Sequence, residues 1–147
     1  MNIIITRPLN DTENLMQDLF NLGHKIMHIP TLKISNAYLD PIEIKNFNAF
    51  IFTSSNAVRN LIVKGEKKNI KCFCVGSVTE KIARINGFTK TISASGNVNA
   101  LKNLIINSED VKKNDKLAYI CGDQITLELD KELHTEGFKV KKFINYF

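Results

Sequence analysis

The sequence has 147 residues, 44% hydrophobic and 24% charged, and carries 20 Lys+Arg against 15 Asp+Glu for a net charge of +5. That is enough chain for one globular domain with a real core, and too little for two of ordinary size. No apolar run approaches the ~20 residues of a membrane span, "MNIIITRPLND" lacks the basic-then-apolar order of a signal peptide, and no basic–aromatic motif points to nucleic acid.

The elements follow a repeating order of short strand, helix, glycine, strand. "NIIIT" is an apolar run that predicts a first strand over 3–6. Pro8 and the cap candidates Asn10 and Asp11 come next, then "ENLMQDLFNLG", whose Leu15, Met16, Leu19, Phe20 and Leu22 recur at helical spacing and stop at Gly23. "HKIMHIP" reads as a second strand. Residues 31 to 47, with Pro41 and no helix of convincing length, read as a linker. After it, strands are predicted near 48–53, 70–75, 88–92, 116–121 and 138–145, with helices near 55–64, 77–86, 98–107 and 123–136. "SVTEKIARING" opens with a capping-box pattern, Ser77 and Glu80. Gly23, Gly87 and Gly137 each stand where a helix closes before a strand, a position that favours the left-handed conformation.

The core strands are continuous apolar runs, which predicts a parallel sheet covered on both faces. The expected fold is α/β: residues 36–147 form a complete flavodoxin-like unit with a parallel five-stranded sheet. Residues 1–35 form a β-α-β piece of a second, incomplete domain. Ligands of such sheets sit at the carboxyl ends of the strands. Those ends read "TRP" (6–8), "TSSN" (53–56), "GSVT" (76–79), "SGN" (95–97), "CGD" (121–123) and "NYF" (145–147). They offer hydroxyls, amides and backbone N–H groups, which bind anions such as carboxylates.

Neither G-x-G-x-x-G nor G-x-x-x-x-G-K-[ST] occurs. Where phosphoacceptor domains of this shape carry acids after the first strand, Thr6 and Arg7 stand instead. Cys72, Cys74 and Cys121 lie inside apolar runs and read as buried thiols in a reducing cytoplasm, with neither metal-ligand spacing nor a disulfide framework. His24, His28 and His134 fall on different elements. Asp123 reads as a cap for the helix after it, and Tyr146 as a packed aromatic at the last strand's end. A flavin phosphate cradle at "TSSN", making the chain a non-catalytic module for FMN or another anionic ligand, stays open as an alternative to an enzyme.

Taken together, "IIITRP" with "LGHKIMHIPTLKI", "FNAFIFTSSNAV", "CFCVGSVTEKIARINGF", "SGNVNALKNLI" and "LAYICGDQITLELDKELHTEGFKVKKFINY" resemble the uroporphyrinogen-III synthase family over nearly the whole chain. The resemblance implies two flavodoxin-like domains joined by two linkers, with the active site between them. It implies a cyclising hydro-lyase of haem and porphyrin biosynthesis, acting in the cytoplasm without metal or organic cofactor. Its substrate would be hydroxymethylbilane, a linear tetrapyrrole closed with inversion of its last ring; no nucleic acid or membrane partner is implied. Carried over position by position, Tyr146 matches the candidate proton donor, and Thr53, Ser54 and Thr79 match substrate-binding positions. Arg7 is added as a carboxylate contact. Two departures stand out. Glu80 occupies a place where the family usually has a small residue, and after Phe147 the family continues with segments that complete the first domain. The expectation is a chain that needs a missing C-terminal half or exchanges its first piece with a second copy.

Overall fold

The computed structural model describes residues 1–147, the side chain of Lys68 excepted. The chain divides into two compact units, Met1–Ser35 and Asn36–Phe147.

The first unit contains β1 (Asn2–Ile5), a short 3-10 turn (Leu9–Asp11), α1 (Glu13–Asn21) and β2 (Lys25–His28). β1 pairs in parallel with β2 alone, Asn2 opposite Lys25 through Ile5 opposite His28. The helix cap is Thr12 rather than Asn10 or Asp11, which lie in the 3-10 turn. Its hydroxyl donates back to the Pro8 carbonyl at 3.2 Å instead of capping forward. A two-stranded sheet and one helix enclose little. Only Ile5 and Thr12 are buried, while Ile4 is 62% and Phe20 67% exposed.

The second unit is built on β4 (Ala49–Phe52), β6 (Lys71–Cys74), β7 (Lys90–Ser93), β8 (Lys116–Gly122) and β9 (Lys139–Tyr146). All pairings are parallel, in the order β7-β6-β4-β8-β9. Successive residues of each strand face opposite sides, and both sides are apolar. Phe50, Phe52, Cys72, Cys74, Ala118 and Ile120 meet α2 (Ser55–Arg59) and α3 (Ser77–Ile85) through Ala57, Val58 and Ala83. On the other side Ala49, Ile51, Phe73, Leu117, Tyr119 and Cys121 meet α4 (Val98–Ile106) and α5 (Leu129–Thr135) through Leu101, Ile105, Leu129 and Leu133. The five-stranded parallel sheet with helices on both faces is thus the one its apolar strands predict.

Three elements differ from the sequence reading. The helix expected over 55–64 stops at Arg59, and Val63–Lys64 instead forms β5, a short strand paired with β3 (Ile42–Glu43). The segment 31–47 is therefore not all linker: Ile42 and Ile44 are buried against the α2 side of the sheet. The helix expected over 123–136 begins only at Leu129, so Asp123 is no cap; Glu128 occupies that place. Gly23, Gly87 and Gly137 do adopt positive φ, at 80°, 93° and 99°.

A further difference concerns Glu80. α3 is capped by Gly76 without a side-chain bond, and Ser77 is already inside the helix, so no capping box forms. The Glu80 carboxylate turns to the edge strand instead. It accepts from Ser93 Oγ at 2.6 Å, Thr91 Oγ1 at 3.0 Å and Arg84 at 2.7 Å, while Arg84 Nε donates to Thr91 at 2.8 Å. Thr91 and Ser93 are two apart and so share a face of β7. These bonds, Ser93 first, hold the Glu80 carboxyl below its ordinary range. A depressed carboxylate pKa stabilises the fold above the unfolded-state value, and that stabilisation is lost as pH falls through the folded one. Glu80→Gln should therefore speed amide exchange over residues 90–93. It should also flatten the acid limb of the stability curve below the ordinary carboxylate range. Unchanged exchange and an unchanged acid limb would remove Glu80 as the anchor of β7.

Candidate functional site

Because both sheet faces are filled, polar side chains collect at the carboxyl ends of the strands. Counted within the five-stranded sheet alone the strand order is 3-2-1-4-5, so it reverses between β4 and β8. A crevice opens at such a reversal, because the chain leaves the two neighbouring strands in opposite directions. Here it is a cleft of about 190 Å³ whose lining includes Thr53, Tyr119, Gly122, Gln124, Thr126 and Tyr146.

Thr53 and Ser54 follow β4 directly. Ser54 has extended backbone and caps α2, its Oγ accepting from the N–H groups of Asn56 at 3.1 Å and Ala57 at 3.4 Å. The same oxygen accepts from Tyr146 Oη at 2.9 Å, a contact between residues 92 apart in sequence. Thr53 Oγ1 lies 3.5 Å from Tyr119 Oη. Burial pushes the Tyr119 phenol well above its ordinary value, so it stays neutral. Burial also raises the Cys121 thiol on the same strand. No residue lining the cleft carries a charge at neutral pH; its polar groups are hydroxyls and amides.

Tyr146 is held from several sides. Its backbone pairs with Gly122 of β8, its carbonyl accepts from Asp123 N–H at 3.1 Å, and it bridges antiparallel to Asn36. The neighbouring Asn145 is buried and donates its amide to the Ala57 carbonyl at 2.8 Å, which fastens the end of β9 to α2.

Thr79 sits in the first turn of α3 and is only 5% exposed. It lines a second, more open cleft of about 460 Å³ at the ends of β6 and β7, with Gly76, Ser77, Ser95 and Gly96. The structure therefore joins Thr53, Ser54 and Tyr146 in one constellation and puts Thr79 in the next crevice along the sheet. Arg7 belongs to the first unit, where it is exposed and its carbonyl meets His28 Nε2 at 2.8 Å. Sequence reading missed Tyr119, Gly122 and the irregular segment 123–128. Tyr119 lies inside an apolar run with nothing to separate it from core. Gly122 had a signal: a glycine at a strand end with no helix to close.

The arrangement offers neutral donors for anionic groups and one partly exposed phenol as a proton donor. Among the described residues no group of three His, Cys, Asp or Glu side chains is placed to hold a metal, and no helix is long and apolar enough to cross a membrane.

Comparison with known proteins bears on the fold and the family. Solved structures that match include a mutant uroporphyrinogen III synthase from the extreme thermophile Thermus thermophilus, at 12% identity and a TM-score of 0.60 over 99% of this chain and 62% of that one. The wild-type protein from the same organism matches at 15% identity and a TM-score of 0.54, over 99% and 61%. The uroporphyrinogen-III synthetase of Helicobacter pylori matches at 21% and 0.54, over 84% and 55%. At these identities the likeness is one of fold, and the chain spans about three-fifths of the length of these proteins. No curated protein matches it. The family model described as uroporphyrinogen-III synthase HemD matches residues 13–147. The chain with the Tyr146–Ser54 contact at its switch point thus belongs to the uroporphyrinogen-III synthase family.

Proposed function

We propose that this chain forms one wall of an active site that cyclises hydroxymethylbilane to uroporphyrinogen III, with inversion of the last ring. The observation that carries the reading is the Tyr146–Ser54 hydrogen bond at the β4/β8 cleft, which joins two of the positions that the sequence resemblance assigns as donor and binding residues. The substrate is reactive and closes unaided to the wrong isomer. The catalyst's main task is then to impose a conformation, which rigid, neutral donors on strand ends do well. Thr53, Ser54 and Thr79 hold substrate carboxylates, with Arg7 as a further carboxylate contact. Tyr146 gives its proton to the departing hydroxyl, which leaves as water. The reaction needs no metal or organic cofactor, and its setting is the cytoplasm.

The first unit supports a second element of the proposal. Ile4, Leu15, Phe20, Leu22 and Met27 are all exposed on it. A sheet of two strands is too small to stand unsupported. Its apolar surface calls for cover, either from a further polypeptide segment or from the same unit of a second copy.

A linear bilane lacking the terminal hydroxymethyl group is the probe for binding, since it cannot cyclise. It should bind this chain, bind more weakly after Thr53→Ala or Ser54→Ala, and bind unchanged after Tyr146→Phe. A chain that ignores the bilane and takes up FMN, turning yellow, would overturn the reading.

For turnover the measurement is the product isomer ratio. Alone, the 147-residue chain should leave the spontaneous type I isomer dominant; efficient type III formation by it would show that no covering partner is needed. In an assembly that makes type III product, Tyr146→Phe should lower kcat by roughly 10²–10⁴-fold, the usual worth of general-acid help. An unchanged kcat would remove Tyr146 from that role.

A further inference from the structure

The end of β9 is built to aim one side chain. Along this strand Phe143 packs on the α2 side of the sheet and Ile144 on the opposite side. Regular alternation would send Asn145 to the α2 side and Tyr146 back with Ile144. Instead the register slips: Cys121 pairs with Ile144, and the next residue, Gly122, pairs with Tyr146, leaving Asn145 extra. A bulge of this kind re-aims the side chain after it. Tyr146 consequently packs with the α2-side cluster, alongside Phe143.

Once re-aimed, the ring has to cross a strand. Ser54 follows β4, and β8 lies between β4 and β9. Neighbouring strands are about 4.8 Å apart, so two spacings make roughly 10 Å. Tyr146 Oη nevertheless reaches Ser54 Oγ at 2.9 Å. The ring passes over the end of β8, at Gly122. A Cβ placed there would lie 2.5 Å from Tyr146 Cζ, 2.6 Å from Cε2 and 2.9 Å from Oη, and these are its nearest neighbours outside the adjoining residues. Contacts that short between a Cβ and a ring do not occur without one of them moving.

The backbone supplies no competing reason for glycine at this position. Gly23, Gly65, Gly87, Gly96 and Gly137 all have positive φ; Gly122 does not. Its backbone conformation is open to any residue, and the space is what demands glycine.

Resting on the reading of Tyr146 as proton donor, we propose that Gly122 is a positioning residue. Its missing side chain is the floor over which the Tyr146 ring reaches Ser54 and the substrate's hydroxyl. Any side chain at 122 lifts the phenol off Ser54 while leaving Thr53, Thr79 and the strand ends in place.

The test is a double-mutant cycle on the whole chain, followed by urea unfolding and by NMR of ring-labelled tyrosine. The chain has three tyrosines, Tyr38, Tyr119 and Tyr146, so each resonance can be followed separately. Gly122→Ala should move the Tyr146 resonance and leave that of Tyr38 in place. It should destabilise the wild-type chain and cost nothing in a Tyr146→Ala background, where the ring is gone. If Gly122→Ala alone does not fold, folding of the double variant gives the same answer. Equal losses in both backgrounds, or failure of both to fold, would overturn the proposal. In an assembly that makes type III product, Gly122→Ala should lower kcat about as far as Tyr146→Phe with KM unchanged, and the two together should fall short of additive. A Tyr146→Phe variant with full kcat defeats the acid role and leaves the stability cycle standing. An uncoupled cycle defeats the role of Gly122 and leaves the Tyr146→Phe phenotype standing.

Discussion

A parallel sheet with both faces buried leaves polar side chains almost nowhere to go except the ends of its strands. In β4 and β8 that constraint is nearly complete: residues 49–52 and 117–121 are fully or almost fully buried, and alternate between two apolar clusters. Hydroxyls within those strands would lose their water, at a cost of a few kcal/mol each unless paired. Thr53, Ser54 and Tyr146 begin where the burial stops. The organisation of the site is therefore a corollary of how the core is filled.

That origin also explains the site's electrical character. The cleft at β4/β8 contains hydroxyls and amides and no ionised side chain. Neutral donors accept an anion without first having to shed a counter-ion, and the residues at the ends of β4 and β9 are held by bonds of their own. Ser54 is fixed by two backbone N–H groups of α2, and Asn145 ties the same helix to β9. Such a surface is suited to holding a flexible, many-armed ligand in one shape. In the proposed reaction the acid–base part falls to a single phenol, Tyr146.

What could be read from sequence followed the scale of the feature. Apolar runs such as "AFIF" and the closing glycines Gly23, Gly87 and Gly137 announce strands and helix ends, because burial and positive φ leave a local mark. The hydroxyl-rich end "TSSN" announced itself in the same way. The apparent capping box at Ser77 and Glu80 misled, since the edge strand β7 offered Glu80 better partners in Thr91 and Ser93. The fate of residues 42–44 was hidden because a two-residue strand pairing with Val63 and Lys64 has no periodicity to detect. Gly122 stood out as a glycine at a strand end, but the role proposed for it was hidden for a deeper reason. It depends on a one-residue slip between β8 and β9, which no single strand encodes.

The buried cysteines have a consequence for the redox behaviour of the fold. Cys72, Cys74 and Cys121 are all inaccessible, and burial raises all three thiols, Cys74 to about 12. The thiolate is the reactive form, and burial disfavours it in the folded protein. The folded sheet is accordingly inert to alkylating agents and peroxide. Cys72 and Cys74 of β6 are covered on the α2/α3 side of the sheet and Cys121 of β8 on the α4/α5 side, so modification of any of them requires that side of the core to open. The three thiols make the protein its own recorder of opening, with Cys72 and Cys74 reporting on one face of the core and Cys121 on the other.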